Sequence, residues 1–408
     1  MQLEIHVLQS FPPANLNRDE NGMPKSTVFG GYPRARISSQ CQKRVTREYY
    51  HKHYEELGID PKHFADRSRG YVGALAKLLI DKGIEEQKAS VSAKLAISVL
   101  TEKPKKEKDK KGKAKTEDTA DESQTDDKGK SDTILFLGRT EVEAIATVLI
   151  NNWSDIEPGL AGTSPALPKE VINKGIIPAV KPPKDLTESA YGKPGDVALF
   201  GRMMAVLPSG NVDAAVQMAH AISVNKLQQE FDFFTAVDDL GASDDQGADH
   251  MGETGYNSST YYRFTTLDTT QLQKNLGSDE QVANITKAFA EAFINAVPTG
   301  HQNGFAAHSL PAAVMVIVRK GQPVSLVDAF ENPVAPKGGK SLLENAVSKL
   351  DEHWAELTKM YGEKSVVFKG IVTRTQLAQQ LKHLTNSEKS SIEELLKDAM
   401  NAAFPGEQ

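Results

Sequence analysis

Residues 2–8 read QLEIHVL, with Leu3, Ile5 and Val7 alternating against Gln2, Glu4 and His6. A period of two is that of a strand with one face on a core, so the chain opens on a half-buried β-strand whose Glu4 and His6 face away from that core. A polar loop carrying Pro12, Pro13, Gly30, Gly31 and Pro33 follows. Ser39 and Gln42 have the spacing of a capping box, which predicts a helix from Ser39 to about Leu57.

Further strands are expected over 197–205, 221–227, 259–267 and 312–318, with a helix over 280–296 between the last two. Strand, helix, strand, strand, helix, strand is the order of an RRM-like or ferredoxin-like α+β domain, interrupted here by two long insertions. One insertion is helical, with helical periodicity over 71–80, 91–100 and 140–150. Within it, residues 101–132 hold ten Lys and ten Asp or Glu and no large apolar side chain. Such a segment gains too little burial to order itself and reads as a disordered tether, with contact to DNA through Lys103–Lys115 as the alternative. The C-terminal part is expected to be helical, with Leu343, Val347, Leu350, Trp354, Leu357 and Tyr361 on one stripe.

At 408 residues and 39% hydrophobic content the chain can bury a real core, and length alone allows about two or three domains. Glu4 and His6 interrupt the first apolar run, and no stretch approaches the about 20 residues that span a bilayer, so a cytoplasmic protein without a membrane partner is expected. A single cysteine, Cys41, excludes a disulfide framework and a multi-cysteine zinc site. The net charge is -6, yet residues 18–47 hold seven Lys or Arg (Arg18, Lys25, Arg34, Arg36, Lys43, Arg44, Arg47) against Asp19 and Glu20. Between Lys226 and Arg263 there are eight acidic residues and no Lys or Arg. One surface could therefore hold an anionic polymer, while the acidic segment docks on the basic band of another copy.

Residues 15–47, NLNRDENGMPKSTVFGGYPRARISSQCQKRVTR, carry most of the candidate chemistry. Gln40, Lys43, Arg44 and Arg47 fall at i, i+3, i+4 and i+7, which puts an amide and three cations on one helix face. Ser38 and Ser39, with the N–H groups of the helix start, would form an anion site aided by the helix dipole. Charge spacing alone leaves two readings open, a solvated amphipathic helix or a phosphate track. Cations beside Cys41 would lower its pKa, but no His or Asp partner is suggested. His51, His53 and His63 could suggest a metal or acid–base site, although 51 and 53 point to different helix faces.

The order LNRD (16–19), Lys25, FGG (29–31), RARISSQ (34–40) and KR (43–44) resembles the N-terminal signature of the CasC family. These are the guide-RNA-binding backbone subunits of type I-E CRISPR Cascade complexes, within the RAMP superfamily. GRM (201–203), AHAIS (219–223), FTAVDDL (234–240) and YYRF (261–264) resemble the middle of the same family. The resemblance implies a hand. An RRM-like palm would comprise 1–58 and 196–408, helical fingers 59–195, and a β-hairpin thumb about 229–258.

It also implies a non-catalytic protein that oligomerises along the crRNA, beside other Cascade subunits, and supports pairing of the guide to a target DNA strand. No cofactor and no metal are implied. Carried over by position, Arg18, Lys25, Ser38, Gln40, Lys43, Arg44 and Arg47 would touch the RNA backbone, and Met203 and Tyr256 would wedge against bases. Taken without the family, Met203 reads as a core methionine, and Tyr256, flanked by Gly255 and Asn257, as a turn residue. A metal-dependent target-RNA nuclease using Asp19, as in type III relatives, lacks the clustered carboxylates of two-metal cleavage. A generic RRM-type module lacks the RNP aromatic consensus.

Overall fold

The computed structural model describes residues 1–102, 131, 133–161, 163–181, 194–235, 251–277 and 281–406. Most of the charged segment expected at 101–132 and the centre of the acidic segment, 236–250, lie outside the described residues. In chain order the strands are β1 (Gln2–Ala14), β2 (Ser26–Phe29), β3 (Tyr32–Ile37), β4 (Ala65–Ser68), β5 (Leu135–Gly138) and β6 (Val216–Met218). They continue with β7 (Ala221–Ser223), β8 (Glu230–Thr235), β9 (Met251–Asp268), β10 (Ala313–Arg319) and β11 (Val366–Thr373). The longer helices are α1 (Ser39–Lys52), α2 (Tyr71–Ile80), α3 (Glu86–Thr101), α4 (Arg139–Asn151), α5 (Val282–Asn295), α6 (Leu342–Tyr361) and α7 (Ile392–Ala403).

The chain divides into two units, a larger one of Met1–Ile59, Val216–Thr270 and Val282–Gln408, and a second of Asp60–Ala215 and Gln271–Gln281. The larger unit is a mixed α+β layer structure on an antiparallel sheet, ordered β11-β10-β1-β9-β7-β3-β2. β1 is paired on both sides over Gln2–Leu8, Leu3 with Val318 and Leu267, and Val7 with Val314 and Arg263. Its odd-numbered face is shared by Arg263, whose guanidinium lies 4.5 Å over the ring of Phe293 in α5, and α5 packs on α1. The opposite face carries Leu8, Tyr262, Met315 and Ile317 into a core with Phe330 and with Val347, Leu350 and Trp354 of α6.

Helices on both faces explain a departure from the alternation read in β1. Glu4 and His6 do not face solvent: both are buried. Glu4 accepts from Arg319 Nε at 2.7 Å and from the Val324 N–H at 3.1 Å. The Tyr262 hydroxyl accepts from the Leu326 N–H at 2.9 Å and lies 2.8 Å from His6 Nδ1, while His6 Nε2 lies 3.6 Å from Glu4. A central strand can carry such polar residues only when each has partners.

Two other expectations change. Residues 197–205 are not a strand: Gly195–Phe200 is a short helix that ends on Gly201, at φ 75°. Short apolar runs do not distinguish strand from helix. The C-terminal region is not wholly helical, because β11 pairs with β10 over Ala313–Arg319 and extends the sheet. In the second unit α2, α3 and α4 bury Leu75, Leu79, Ala93, Ile97, Ile145 and Leu149 together, and β4 pairs with β5. Among the described residues no helix is long and apolar enough to cross a membrane.

Burial alone would raise the Glu4 carboxyl, but His6 and Arg319 outweigh it and hold the pKa below its ordinary 4.5. A depressed folded-state pKa gives stability that is present above the unfolded value and lost as pH falls through the folded one. Glu4→Gln should therefore destabilise the protein by about 3 kcal/mol at neutral pH, by leaving Arg319 unpaired. In urea unfolding, the gap between wild type and variant should narrow as pH drops below 4.5.

Candidate nucleic-acid interface

Asn17 organises the loop that precedes β2. Its carbonyl accepts from the Lys25 N–H at 2.8 Å and its side-chain Oδ1 from the Ser38 N–H at 2.8 Å. Asp19 Oδ1 accepts from the N–H groups of Asn21 and Met23, both at 2.9 Å, an Asx-type closure that occupies this oxygen. β2 and β3 are joined through Gly30 and Gly31, both at positive φ, as a two-residue hairpin turn requires. Gly30 is also sterically compelled: a Cβ there would lie 1.9 Å from the Glu331 carbonyl oxygen.

The basic band of this segment is divided between inside and outside. Arg34 is fully buried and donates to four backbone carbonyls, of Ser223 and Val224 at 2.9 Å, Phe330 at 2.8 Å and Glu331 at 2.9 Å. It is a strut of the fold, and burial lowers its pKa. Arg36 is half-buried, with Nε donating to the Ser26 carbonyl at 3.2 Å.

The start of α1 corrects the anion site expected from Ser38 and Ser39. The N-cap is Ser38, one residue earlier than the spacing suggested; it is buried, and its hydroxyl accepts from the Cys41 N–H at 3.2 Å. The Ser39 N–H donates to His220 Nδ1 at 2.9 Å. Burial, with Arg36 and Lys25 nearby, lowers the His220 pKa and so favours the neutral acceptor form. These N–H groups are satisfied within the chain, and the Ser38 hydroxyl caps the helix. Gln42 is likewise an anchor: its Nε2 donates to the Ala219 carbonyl at 2.8 Å and its Oε1 accepts from Arg263 Nε at 3.3 Å.

With Gln42, Val45 and Thr46 inward, α1 turns Gln40 and Arg44 to solvent and leaves Lys43 and Arg47 half-exposed on the same side. Arg44 is held by Glu48 at 2.7 Å. Lys25 is half-exposed at the head of β2, and Arg18 is exposed in the loop before it. Cys41 departs from expectation, because burial pushes its thiol up in spite of Arg44 and Lys25. His53 stacks on Tyr49 with ring centres 4.1 Å apart, while His63 is buried. Among the described residues, no group of three or more His, Cys, Asp or Glu is placed to hold a metal ion.

The GRM stretch lies in the second unit. Gly201 turns the chain where a Cβ would come within 2.9 Å of Val212 O and Ala214 N. Arg202 then dives inward to Glu141 at 2.6 Å, with further bonds to the carbonyls of Gly210 at 3.1 Å and Val180 at 2.5 Å. Its neighbour is thereby thrown outward: Met203 is 84% exposed, which rules out the core reading for it. It stands at the mouth of a hollow of about 400 Å³ lined by apolar groups that include Ile134, Phe136 and Met204.

In the larger unit, β8 pairs with the first part of β9, Glu230 with Tyr256 and Thr235 with Met251. Tyr256 is therefore a strand residue, not a turn residue. It is half-buried at the foot of this ribbon, its hydroxyl 3.2 Å from Glu230 and its ring 5.8 Å from Phe305. The sequence reading passed over Phe231, Phe233 and Phe234, which are exposed by 53%, 64% and 51%. The signal was present in EFDFFT, where three aromatic side chains sit in a strand with acidic neighbours and no apolar partner strand.

CT1975-like proteins match residues 3–398 of this chain. The chain belongs to that family. No curated relative matches it. Among solved structures, a chain of a "CRISPR RNA-guided surveillance complex, pre-nicking" is similar at 29% identity and a TM-score of 0.78, covering 99% of this chain and 100% of its own length. A chain of another "CRISPR RNA-guided surveillance complex" shares the fold at 24% identity and a TM-score of 0.67, covering 98% and 100%.

The contrast between neighbours 202 and 203 gives a test of this CT1975-like site. Arg202→Met should lose about 3–5 kcal/mol by stranding the Glu141 carboxylate. Met203→Ala should stay within about 0.5 kcal/mol of wild type, as surface substitutions do. Denaturant unfolding of the two variants checks both.

Proposed function

We propose that this chain is a non-catalytic guide-RNA-binding backbone subunit of a Cascade-type CRISPR surveillance complex, of the CasC kind, assembling in several copies along the crRNA. The observation that carries the reading is the outer face of α1, where Gln40, Lys43, Arg44 and Arg47 stand together while Gln42, Val45 and Thr46 anchor the opposite side. Spaced cations on a rigid helix suit the regular phosphates of a single strand. Family membership and likeness to chains of CRISPR RNA-guided complexes support the same reading.

The central strand order β10-β1-β9-β7, antiparallel throughout, is that of a ferredoxin-like palm and supports the hand-like description. Met203 is exposed for contact with a base, and so are the phenylalanines of β8, which join Tyr256 on the ribbon read as a thumb. Ser38 acts through the helix start. The acidic character of the ribbon, Glu230, Asp232 and Glu253, suits contact with a basic surface of a second copy more than contact with RNA. Asp19 is engaged in its own loop, which favours a binding role over a nuclease. Target DNA would be met through its pairing to the guide, and the remaining Cascade subunits at the ends of the array.

The test is salt-dependent binding of a single-stranded RNA by the full chain. Lys43→Ala and Arg47→Ala should each reduce the slope of log K against log salt by about 0.7. A slope unchanged in both variants would remove α1 from the interface.

A further inference from the structure

The apolar stripe of α6 runs past the core that it serves. Val347, Leu350 and Trp354 are buried, and Leu343 and Leu357 pack against the same core. Tyr361, next on the stripe, is 77% exposed, and Met360 beside it is 70% exposed. Leu357, Met360 and Tyr361 stand at i, i+3 and i+4, so the final turn carries a ridge of the kind that packs into the groove of another helix. Beyond residues 362–365, Val367 at the head of β11 is exposed as well, by 44%. The backbone between them is held, with the Gly362 N–H donating to Thr358 O at 2.8 Å and the Val366 N–H to Glu363 O at 2.9 Å. A group of exposed apolar side chains on a fixed backbone adds nothing to this chain's own core, and Tyr and Met are side chains that interfaces favour.

Charge says what kind of partner the ridge fits. Glu363 is paired with Lys369 at 2.5 Å and Glu352 with Lys349 at 3.5 Å, while Glu356 faces His353, 3.8 Å away. Lys359 and Lys364 are exposed, and among the described residues neither has a carboxylate within ion-pair distance. The ridge is therefore apolar with an uncompensated basic rim. Nucleic acid is the poorer fit, because Met360 and Val367 offer a base neither a hydrogen bond nor an aromatic face. A second copy presenting the same ridge would bring Lys359 and Lys364 against like charges.

We propose that the last turn of α6, with the head of β11, is a docking site for an acidic amphipathic helix of a different protein. The apolar stripe of that helix lies along Leu357, Met360, Tyr361 and Val367, and its carboxylates meet Lys359 and Lys364. The site is independent of the RNA-binding reading, since none of its residues belongs to the interface described above.

The experiment is titration of the full chain with two fluorescein-labelled synthetic helices, one of leucine and glutamate in amphipathic order and one with lysine in place of each glutamate. Wild type should bind the glutamate helix about tenfold more tightly than the lysine helix. Met360→Ser/Tyr361→Ser should weaken that binding about tenfold, and Lys359→Glu/Lys364→Glu should reverse the preference between the two helices. All four positions are exposed, so the urea midpoints of both variants should stay at the wild-type value and the losses report the surface. No binding of the glutamate helix by wild type, equal binding of both helices, or unchanged binding in both variants would overturn the proposal. Self-association of the chain that Tyr361→Ser abolishes, or oligouridylate binding lost in Met360→Ser/Tyr361→Ser, would give the ridge to a second copy or to RNA and overturn it likewise.

Discussion

Arg34 places a guanidinium in the interior of the larger unit and surrounds it with four backbone carbonyls. A charge withdrawn from water is tolerated only when its donors are used, and here the acceptors come from the end of β7, the residue after it, and the segment 330–331. Two stretches far apart in sequence, 223–224 and 330–331, are thereby fixed to β3. The end of β3 leads directly into Ser38 and α1, so the position of the exposed cations depends on a cation that never reaches the surface. The close approach of Gly30 to Glu331 reinforces the same junction.

The same division of labour recurs. Arg263 is buried against Gln9, Gln42 and the Phe293 carbonyl, with its pKa lowered to about 10 by burial, and through Gln42 it anchors the inner side of α1. Arg202 fills the interior of the second unit and thereby exposes Met203. In each stretch polar residues of the recognised motifs hold the backbone, while their neighbours in sequence face outward. A motif read as a row of ligands is in fact part scaffold and part surface.

That division explains what was legible in the sequence. Period-two and helical patterns placed β1, β9, β10, α2, α4, α5 and α6, because these elements bury long, regular apolar stripes. Burial on both faces of β1 was not legible, since Glu4 and His6 look solvated until Arg319, Val324 and Tyr262 arrive from distant parts of the chain. Charge spacing found the outer face of α1 but could not separate Arg34 from Arg36, or show that Ser38 caps the helix. Those roles are set by carbonyls and by His220, which come from other strands and loops.

The central claim, that this chain grips a guide RNA along repeated copies of one surface, is tested most directly by expressing it with a repeat-spacer RNA and footprinting the purified product with nuclease. The account predicts a large ribonucleoprotein whose RNA is protected at regular intervals. A nucleic-acid-free monomer, or RNA protected at a single site without a repeat, would contradict it.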